Sequence, residues 1–179
     1  FTYVFNPIRE FIDGFVKIIR SIIAQPMEGS SIPLLGWLGV LVLIGFIVFA
    51  TSNVKTAILA MALTFGCGAL GLWTDSMDTL ALTIAAVTLS LAIGIPLGIW
   101  GGLSNFGLKL MTPILDLAQI LPTLVYLAPL ALVFLIGPAA ATIATMVYCI
   151  PIAIRITAFG IREVPKSPVE ASVSMGTTR

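Results

Sequence analysis

The sequence predicts an all-α polytopic membrane protein, and three of its features carry that prediction. Apolar residues occupy 59% of the 179 positions, charged residues occupy only 9%, and the apolar positions form long runs rather than short alternating segments. Soluble domains carry about 25% charged residues, so this chain lacks the polar surface that a soluble fold needs. The composition argues against a soluble enzyme and a disordered tail. A net charge of +1 also argues against a nucleic-acid binder.

The first predicted element is an amphipathic helix over residues 1–23. Its charged residues recur every three or four positions, and isoleucines and phenylalanines fill the other side. Such a helix lies in the membrane interface or packs against the helical bundle. Residues 25–31, which include Pro26 and Gly29, are predicted to form a linker. The charged residues of the helix are Arg9, Glu10, Asp13, Lys17 and Arg20.

Five long apolar runs follow, and we expect each to form a transmembrane helix. A hydrocarbon core of about 30 Å needs roughly 20 apolar residues, and every run approaches or exceeds that length. Asp75 and Asp78 precede the third run as candidate N-caps. The runs are residues 33–51, 56–73, 79–100, 111–136 and 138–157, the last extending toward Ile161.

The positive charges of the connecting segments fall on alternate loops. Residues 51–55, 101–109 and 162–179 contain lysine or arginine, whereas residues 74–78 and 137–138 contain none. The positive-inside rule makes the charged side cytoplasmic. Five spans then place the N-terminal helix on the outer side. The positive residues are Lys55, Lys109, Arg162, Lys166 and Arg179.

The fourth run combines prolines with polar residues. Pro113, Pro122 and Pro129 remove backbone donors and bend a helix, so this run should lie inside the bundle or along a polar path. Four polar residues follow one another at steps of three, four and three, which places them on one face of a helix. That face lines a substrate path or joins helices by hydrogen bonds. The four residues are Asp116, Gln119, Thr123 and Tyr126.

Charges and glycines suggest how the spans contact one another. Asp116 and Arg155 lie toward the same end of their runs, and a charge at that depth is costly unless it is paired. We therefore consider an ion pair between them. Gly94 and Gly98 have the small-xxx-small spacing that permits close helix packing.

The sequence offers no catalytic residues and no metal ligands in a recognisable arrangement. Histidine is absent. Cys67 and Cys149 both lie inside apolar runs, where we expect them to be buried as small hydrophobic residues. No nucleophile and base stand together, so an enzyme is not expected.

The polar segment 160–176 that follows the fifth run carries the strongest functional signal. Pro168 suits the start of a short helix, and Glu170 would lie in its first turn, where the helix dipole favours an acid. The small Ala171 and Ser172 permit another surface to approach, and Gly176 ends the helix. Such a helix suits docking into a cleft of a soluble partner, although an ordinary interfacial loop has a similar composition.

Glu170, Ala171 and Ser172, followed after three residues by Gly176, resemble the EAA motif of ABC importer permeases. Four further stretches resemble the glycine betaine/proline betaine permeases of that family. The resemblance covers about residues 79–179 and is looser over 33–73. The four stretches are residues 91–100, 113–119, 122–127 and 151–157.

The resemblance implies the fold and the working partners. It implies the transmembrane domain of a type I, MetI-like ABC importer in the bacterial inner membrane, paired as a homodimer. Pro168, Glu170, Ala171, Ser172 and Gly176 would form the coupling helix that docks onto a cytoplasmic ATPase. An extracytoplasmic binding protein would deliver the substrate. ATP and Mg²⁺ would be bound by the ATPase, so this chain would need no cofactor of its own.

The implied substrates are quaternary ammonium osmolytes, which would make the protein a component of osmoprotection. Such cations commonly bind to aromatic rings. Tyr126 and Tyr148 are candidates for the substrate pathway together with Gln119 and Thr123. Ordinary packing explains these tyrosines equally well, and the binding protein is the more natural place for an aromatic cage.

The resemblance also suggests a domain organisation. Residues 1–31 would form the interfacial helix and linker, 32–73 two accessory spans, and 74–179 the first part of the permease core. Ser172 replaces the alanine of many permeases. The later part of the motif and the last helices of the family do not occur in the sequence, so we expect it to be incomplete at its C-terminus.

Other functions remain open at this point. An ABC permease for choline, methionine or a sulfonate would carry the same coupling loop. A non-transport membrane anchor subunit would tolerate any residue at Glu170 and Gly176. A secondary transporter would need ionisable groups in mid-membrane, for which Asp116 alone is thin support.

Overall fold

A computed structural model of the protein describes residues 2–23, 35–165 and 174–176. Within these ranges the chain forms seven α-helices, and short turns join the last six of them, which confirms the predicted all-α fold class. The predicted linker 25–31 lies outside the described residues. The helices are α1 (Thr2–Ile23), α2 (Gly36–Thr51), α3 (Val54–Ala69), α4 (Trp73–Leu103), α5 (Asn105–Ile120), α6 (Thr123–Phe134) and α7 (Pro138–Arg162).

The described residues contain apolar helices of membrane-spanning length. Two described helices, α4 and α7, are long and apolar enough to cross a membrane. The bent pair formed by α5 and α6 passes the same test when taken as one span. The apolar helices α2 and α3 have 16 residues each, which corresponds to about 24 Å. The described chain therefore contains two or three full-length spans and two shorter apolar helices.

The third predicted span begins earlier than expected. α4 starts at Trp73 rather than near residue 79, and it runs for 31 residues. Asp75 lies in its first turn, where an acid is favourable. Asp78 lies inside the helix and forms an ion pair with Arg20 of α1. The prediction that Asp75 and Asp78 are N-caps is therefore wrong, because α4 begins before both residues.

A single helix over residues 111–136 is also wrong. α5 ends at Ile120 and α6 begins at Thr123, and Leu121 between them has an extended backbone with φ −76° and ψ 129°. The residue before a proline is pushed out of the helical region, so Pro122 explains the break. Pro113 and Pro129 instead lie inside α5 and α6.

The chain divides into two compact units. Unit 1 comprises residues 1–87 and 127–145, and unit 2 comprises residues 88–126 and 146–179. In unit 1, α2 and α3 form an antiparallel hairpin in which the rings of Trp37 and Phe65 are 6.5 Å apart.

A small apolar core in unit 1 joins the end of α1 to α2 and to the start of α4. Its buried members are Ile23, Val40 and Met77, and Trp73 is among the partly buried residues packed against them. These contacts fix the C-terminal end of the amphipathic helix to the first turns of α4.

α1 has three different faces. Ile12 and Val16 on one face are buried. Polar side chains beside this face join α1 to two other helices. Asp13 Oδ1 accepts a hydrogen bond from the backbone N–H of Ala139 at 3.0 Å, in the first turn of α7. Arg20 pairs with Asp78 of α4. A second stripe is apolar yet exposed, and a third face is charged. The exposed apolar stripe contains Ile8, Phe11 and Ile18.

Candidate functional site

Glycines bring α4 and α7 into close contact in unit 2. A Cβ placed on Gly94 would lie 2.5 Å from the Cβ of Ala153, and one on Gly98 would lie 2.5 Å from the Cβ of Thr157. Farther along, a Cβ on Gly102 would lie 2.9 Å from the Cβ of Ile161. The partner numbers rise together, so the two helices run parallel. Only glycine permits this separation, as the small-xxx-small spacing predicted.

Arg162 ties the end of α7 to the end of α4. Its Nη2 donates a hydrogen bond to the carbonyl oxygen of Gly101 at 2.9 Å and a longer one to that of Ser104 at 3.3 Å. The last carbonyls of a helix have no partner within it and carry partial negative charge, so a guanidinium is well placed there. Ser104 also caps α5 by accepting a hydrogen bond from the N–H of Gly107 at 3.1 Å.

The sequence alone does not predict this contact. In the sequence, Arg162 is only one of the positive charges on the predicted cytoplasmic side. The only signal in the sequence is a basic residue in the last turn of α7. The carbonyl groups that Arg162 binds can be identified only when α4 and α7 are known to run parallel.

The structure brings Asp116 of α5 and Arg155 of α7 together within unit 2. Nη2 of Arg155 donates a hydrogen bond to Oδ1 of Asp116. Both side chains are partly exposed, at 48% for Asp116 and 41% for Arg155. The pair compensates each charge where a lone charge would be costly in lipid.

The four polar residues of the fourth run do not share one helix. The break at Leu121 and Pro122 puts Asp116 and Gln119 on α5 and Tyr126 on α6. Their spacing of three, four and three therefore does not define one continuous face. Thr123 is the first residue of α6, and its side chain lies outside the described part.

The hydroxyl of Tyr126 is buried and has no hydrogen-bond partner among the described residues. The buried hydroxyl of Ser90 on α4 has none there either. Tyr148 on α7 is 46% exposed. No hydrogen bond or ring contact of the described structure joins Gln119, Tyr126 and Tyr148.

Most of the predicted coupling residues cannot be placed. Pro168, Glu170, Ala171 and Ser172 lie outside the described residues. Gly176 is described, and its φ of +89° lies in the left-handed region that glycine adopts without a steric penalty. The segment begins directly after α7, which ends at Arg162.

The described residues contain no group of three or more histidine, cysteine, aspartate or glutamate side chains that would hold a metal ion. Cys67 and Cys149 are free thiols and are only partly buried, so the expectation that both are buried is wrong. The distinctive features of unit 2 are contacts between helices. They are the close packing of α4 and α7, the ion pair of Asp116 and Arg155, and the hydrogen bonds of Arg162 to Gly101 and Ser104, which we call the clamp.

Comparison with known families gives a match over the C-terminal half of the chain. The family described as "Binding-protein-dependent transport system inner membrane component" matches residues 94–179. This range contains the glycines of α4, the ion pair, Arg162 and the predicted coupling segment.

Curated relatives align over more of the chain. It is 32% identical over 174 residues, 97% of its length, to the glycine betaine/proline betaine transport system permease protein ProW of Escherichia coli (strain K12). It is also 32% identical over 96% of its length to the glycine betaine transport system permease protein OpuAB of Bacillus subtilis (strain 168). The glycine betaine/carnitine transport permease protein GbuB of Listeria monocytogenes serotype 1/2a (strain 10403S) is 38% identical over 109 residues, 61% of this chain and 39% of that protein. The chain spans 48% of the length of ProW and 66% of that of OpuAB.

Proposed function

Because the chain belongs to the family of binding-protein-dependent transport system inner membrane components, we propose that it is the permease part of an ATP-driven importer of betaine-type osmolytes. The observation that carries this proposal is the alignment of 96–97% of the chain with two permeases named for glycine betaine. The family consists of transport components rather than enzymes. ATP and Mg²⁺ would be bound by a separate ATPase.

The substrate is a small molecule with a quaternary ammonium group, such as glycine betaine or proline betaine. Carnitine is a second candidate, because the relative GbuB is named for glycine betaine and carnitine. Tyr126 is the best-supported pathway residue, since its buried hydroxyl lacks a partner among the described residues. Gln119, Thr123 and Tyr148 stay in the proposal as weaker candidates.

The coupling segment docks onto the cytoplasmic ATPase through Pro168, Glu170, Ala171, Ser172 and Gly176. The likeness of these residues to the EAA motif supports this role, as does the left-handed φ of Gly176, +89°, because it disfavours other residues there. ATP binding would close the ATPase dimer, and the docked segment would carry that motion into the spans. An extracytoplasmic binding protein and a second permease copy complete the assembly.

The chain crosses the membrane five times, with α2 and α3 as short spans, α5 with α6 as one span, and α4 and α7 as full spans. Arg162 contacts Gly101 and Ser104 in unit 2, which supports a common, cytoplasmic side for the segments after α4 and α7. The contacts of α1 with the first turns of α4 and α7 support an outer position for α1.

With this topology, the chain has three segments with different roles. Residues 1–31 contribute the interfacial helix and linker, 32–73 the two accessory spans, and 74–179 the permease core. The exposed apolar stripe of α1 would face lipid at the membrane boundary, and its charged face would face water.

The proposal is tested by uptake of labelled glycine betaine. The full-length gene is expressed with its ATPase in a strain that lacks osmolyte uptake, with Glu170→Trp and Gly176→Trp as the variants. We expect both to abolish ATP-dependent uptake at normal membrane levels, because a bulky side chain blocks docking and Gly176 has a left-handed backbone.

Glu10→Trp, an exposed position on α1, is the matched control and should transport normally. The unsubstituted permease could bind the ATPase without importing betaine, and the two variants could abolish that binding. This outcome would support the importer proposal and reject betaine as the substrate. An absence of both uptake and association would reject the importer and favour a membrane anchor.

A further inference from the structure

The clamp formed by Arg162 lies at the junction between the membrane helices and the coupling segment. Arg162 is the last residue of α7, and the segment that contains Gly176 follows it. Its guanidinium bonds two carbonyl groups where α4 ends and α5 begins, at Gly101 and Ser104. Movement of the coupling segment therefore acts first on a residue that holds two other helices.

The glycine contacts pack α4 closely against α7. At Gly94, Gly98 and Gly102 the helices touch at separations that leave no room for a Cβ. Closely packed helices resist sliding, because a shift of one residue would bring larger side chains into the space that the glycines leave. α7 therefore moves together with this part of α4.

We infer that Arg162 is the positioning residue that couples ATP hydrolysis to transport, by making the turn between α4 and α5 follow the coupling segment. This inference rests on the proposed importer function. Without the clamp, the coupling segment still docks and ATP is still hydrolysed, but the turn between α4 and α5, at Gly101 and Ser104, follows its movement incompletely.

The test compares uptake and ATP hydrolysis on the same proteoliposomes, made with the full-length permease, its ATPase and its binding protein. We expect Arg162→Gln to lower the uptake of glycine betaine per ATP hydrolysed by at least about fivefold, a typical lower bound for coupling between sites. ATP hydrolysis should persist. Arg162→Lys should recover part of the ratio, since an ammonium also donates to carbonyls at a helix end.

Lys109→Gln is the matched control, because Lys109 is an exposed cation on the neighbouring α5. It should leave the ratio unchanged. An unchanged ratio in Arg162→Gln would overturn the inference. A fall in uptake and hydrolysis together would indicate a structural role and would also overturn it.

A second measurement does not depend on the substrate. Gly101→Cys together with Ala158→Cys, in a background without Cys67 and Cys149, reports whether α4 and α7 stay together. A Cβ on Gly101 would lie 3.9 Å from the Cβ of Ala158, a separation that suits a disulfide. We expect a disulfide to form at the same rate with and without trapped ATP, and more slowly when Arg162 is glutamine. If the rate of disulfide formation changes with ATP, or does not change in Arg162→Gln, the inferred role of Arg162 is wrong. This conclusion holds even if the transported solute is not a betaine. Failure of the parent to import betaine, with these rates as expected, would reject only the substrate.

Discussion

At the scale of single residues, the ion pair between Asp116 and Arg155 is partly exposed, yet removing either charge should cost free energy. Both side chains are only partly buried, so in water their attraction would contribute about 0–1 kcal/mol. At the edge of a bilayer the same charges become expensive when one is left alone. The pair is therefore retained to avoid an uncompensated charge more than to add stability.

Substitutions of Asp116 and Arg155 should therefore have non-additive effects on stability. Asp116→Asn or Arg155→Gln alone should destabilise the full-length permease in lipid nanodiscs by on the order of 1 kcal/mol. The double variant should be less destabilised than the sum of the two, because neither charge is then left unpaired. Thermal unfolding measures the three values, with Lys55→Gln, an exposed cation, as the control. Additive losses would show that the two charges do not interact.

At the scale of helices, the prolines differ in effect according to their surroundings. Pro113 and Pro129 lie inside α5 and α6, whereas Pro122 stands in the break between them. All three lack an N–H, but only before Pro122 does the chain leave the helical region, with ψ 129° at Leu121. The sequence alone suggested bending at all three and did not distinguish the one that interrupts the helix.

The contact between α4 and α7 predicts different responses to the same substitution. Gly98→Ala places a methyl group 2.5 Å from the Cβ of Thr157 and 2.9 Å from the backbone oxygen of Ile154. The helices must separate, which should cost about 1–3 kcal/mol. Gly66→Ala in α3 meets nothing within 4 Å and should stabilise its helix by up to about 1 kcal/mol. Thermal unfolding in detergent distinguishes the two, and equal effects would mean that α4 and α7 are farther apart.

At the scale of the whole molecule, the proposed five-span topology predicts the side of the membrane on which three of the turns lie. Single cysteines replace Ser52, Ser104 and Gly137 in a background without Cys67 and Cys149. We expect an impermeant maleimide to label the first two only from the cytoplasm and the third only from outside. If α2 and α3 do not span the bilayer, Ser52→Cys will be unreactive or will label from the outer side.

The sequence was sufficient for the fold class and for the amphipathic α1, because both depend on composition and on a helical period. It was also sufficient for the helix contacts at Gly94 and Gly98, because glycine spacing is a local signal. The start of α4 at Trp73 was not predictable, because the polar residues before residue 79 are stabilised by α1 through Arg20 and Asp78. Likewise, Arg162 has a partner only when two distant helices lie parallel.

The hydrogen bond from Ala139 to Asp13 has a consequence for biosynthesis. The two residues are 126 positions apart, and at about 5–20 residues per second a ribosome needs about 6–25 s to pass from one to the other. During that interval α1 has been made, but the helix whose first turn it binds has not. The carboxylate of Asp13 must therefore wait without this partner until the seventh helix has been made.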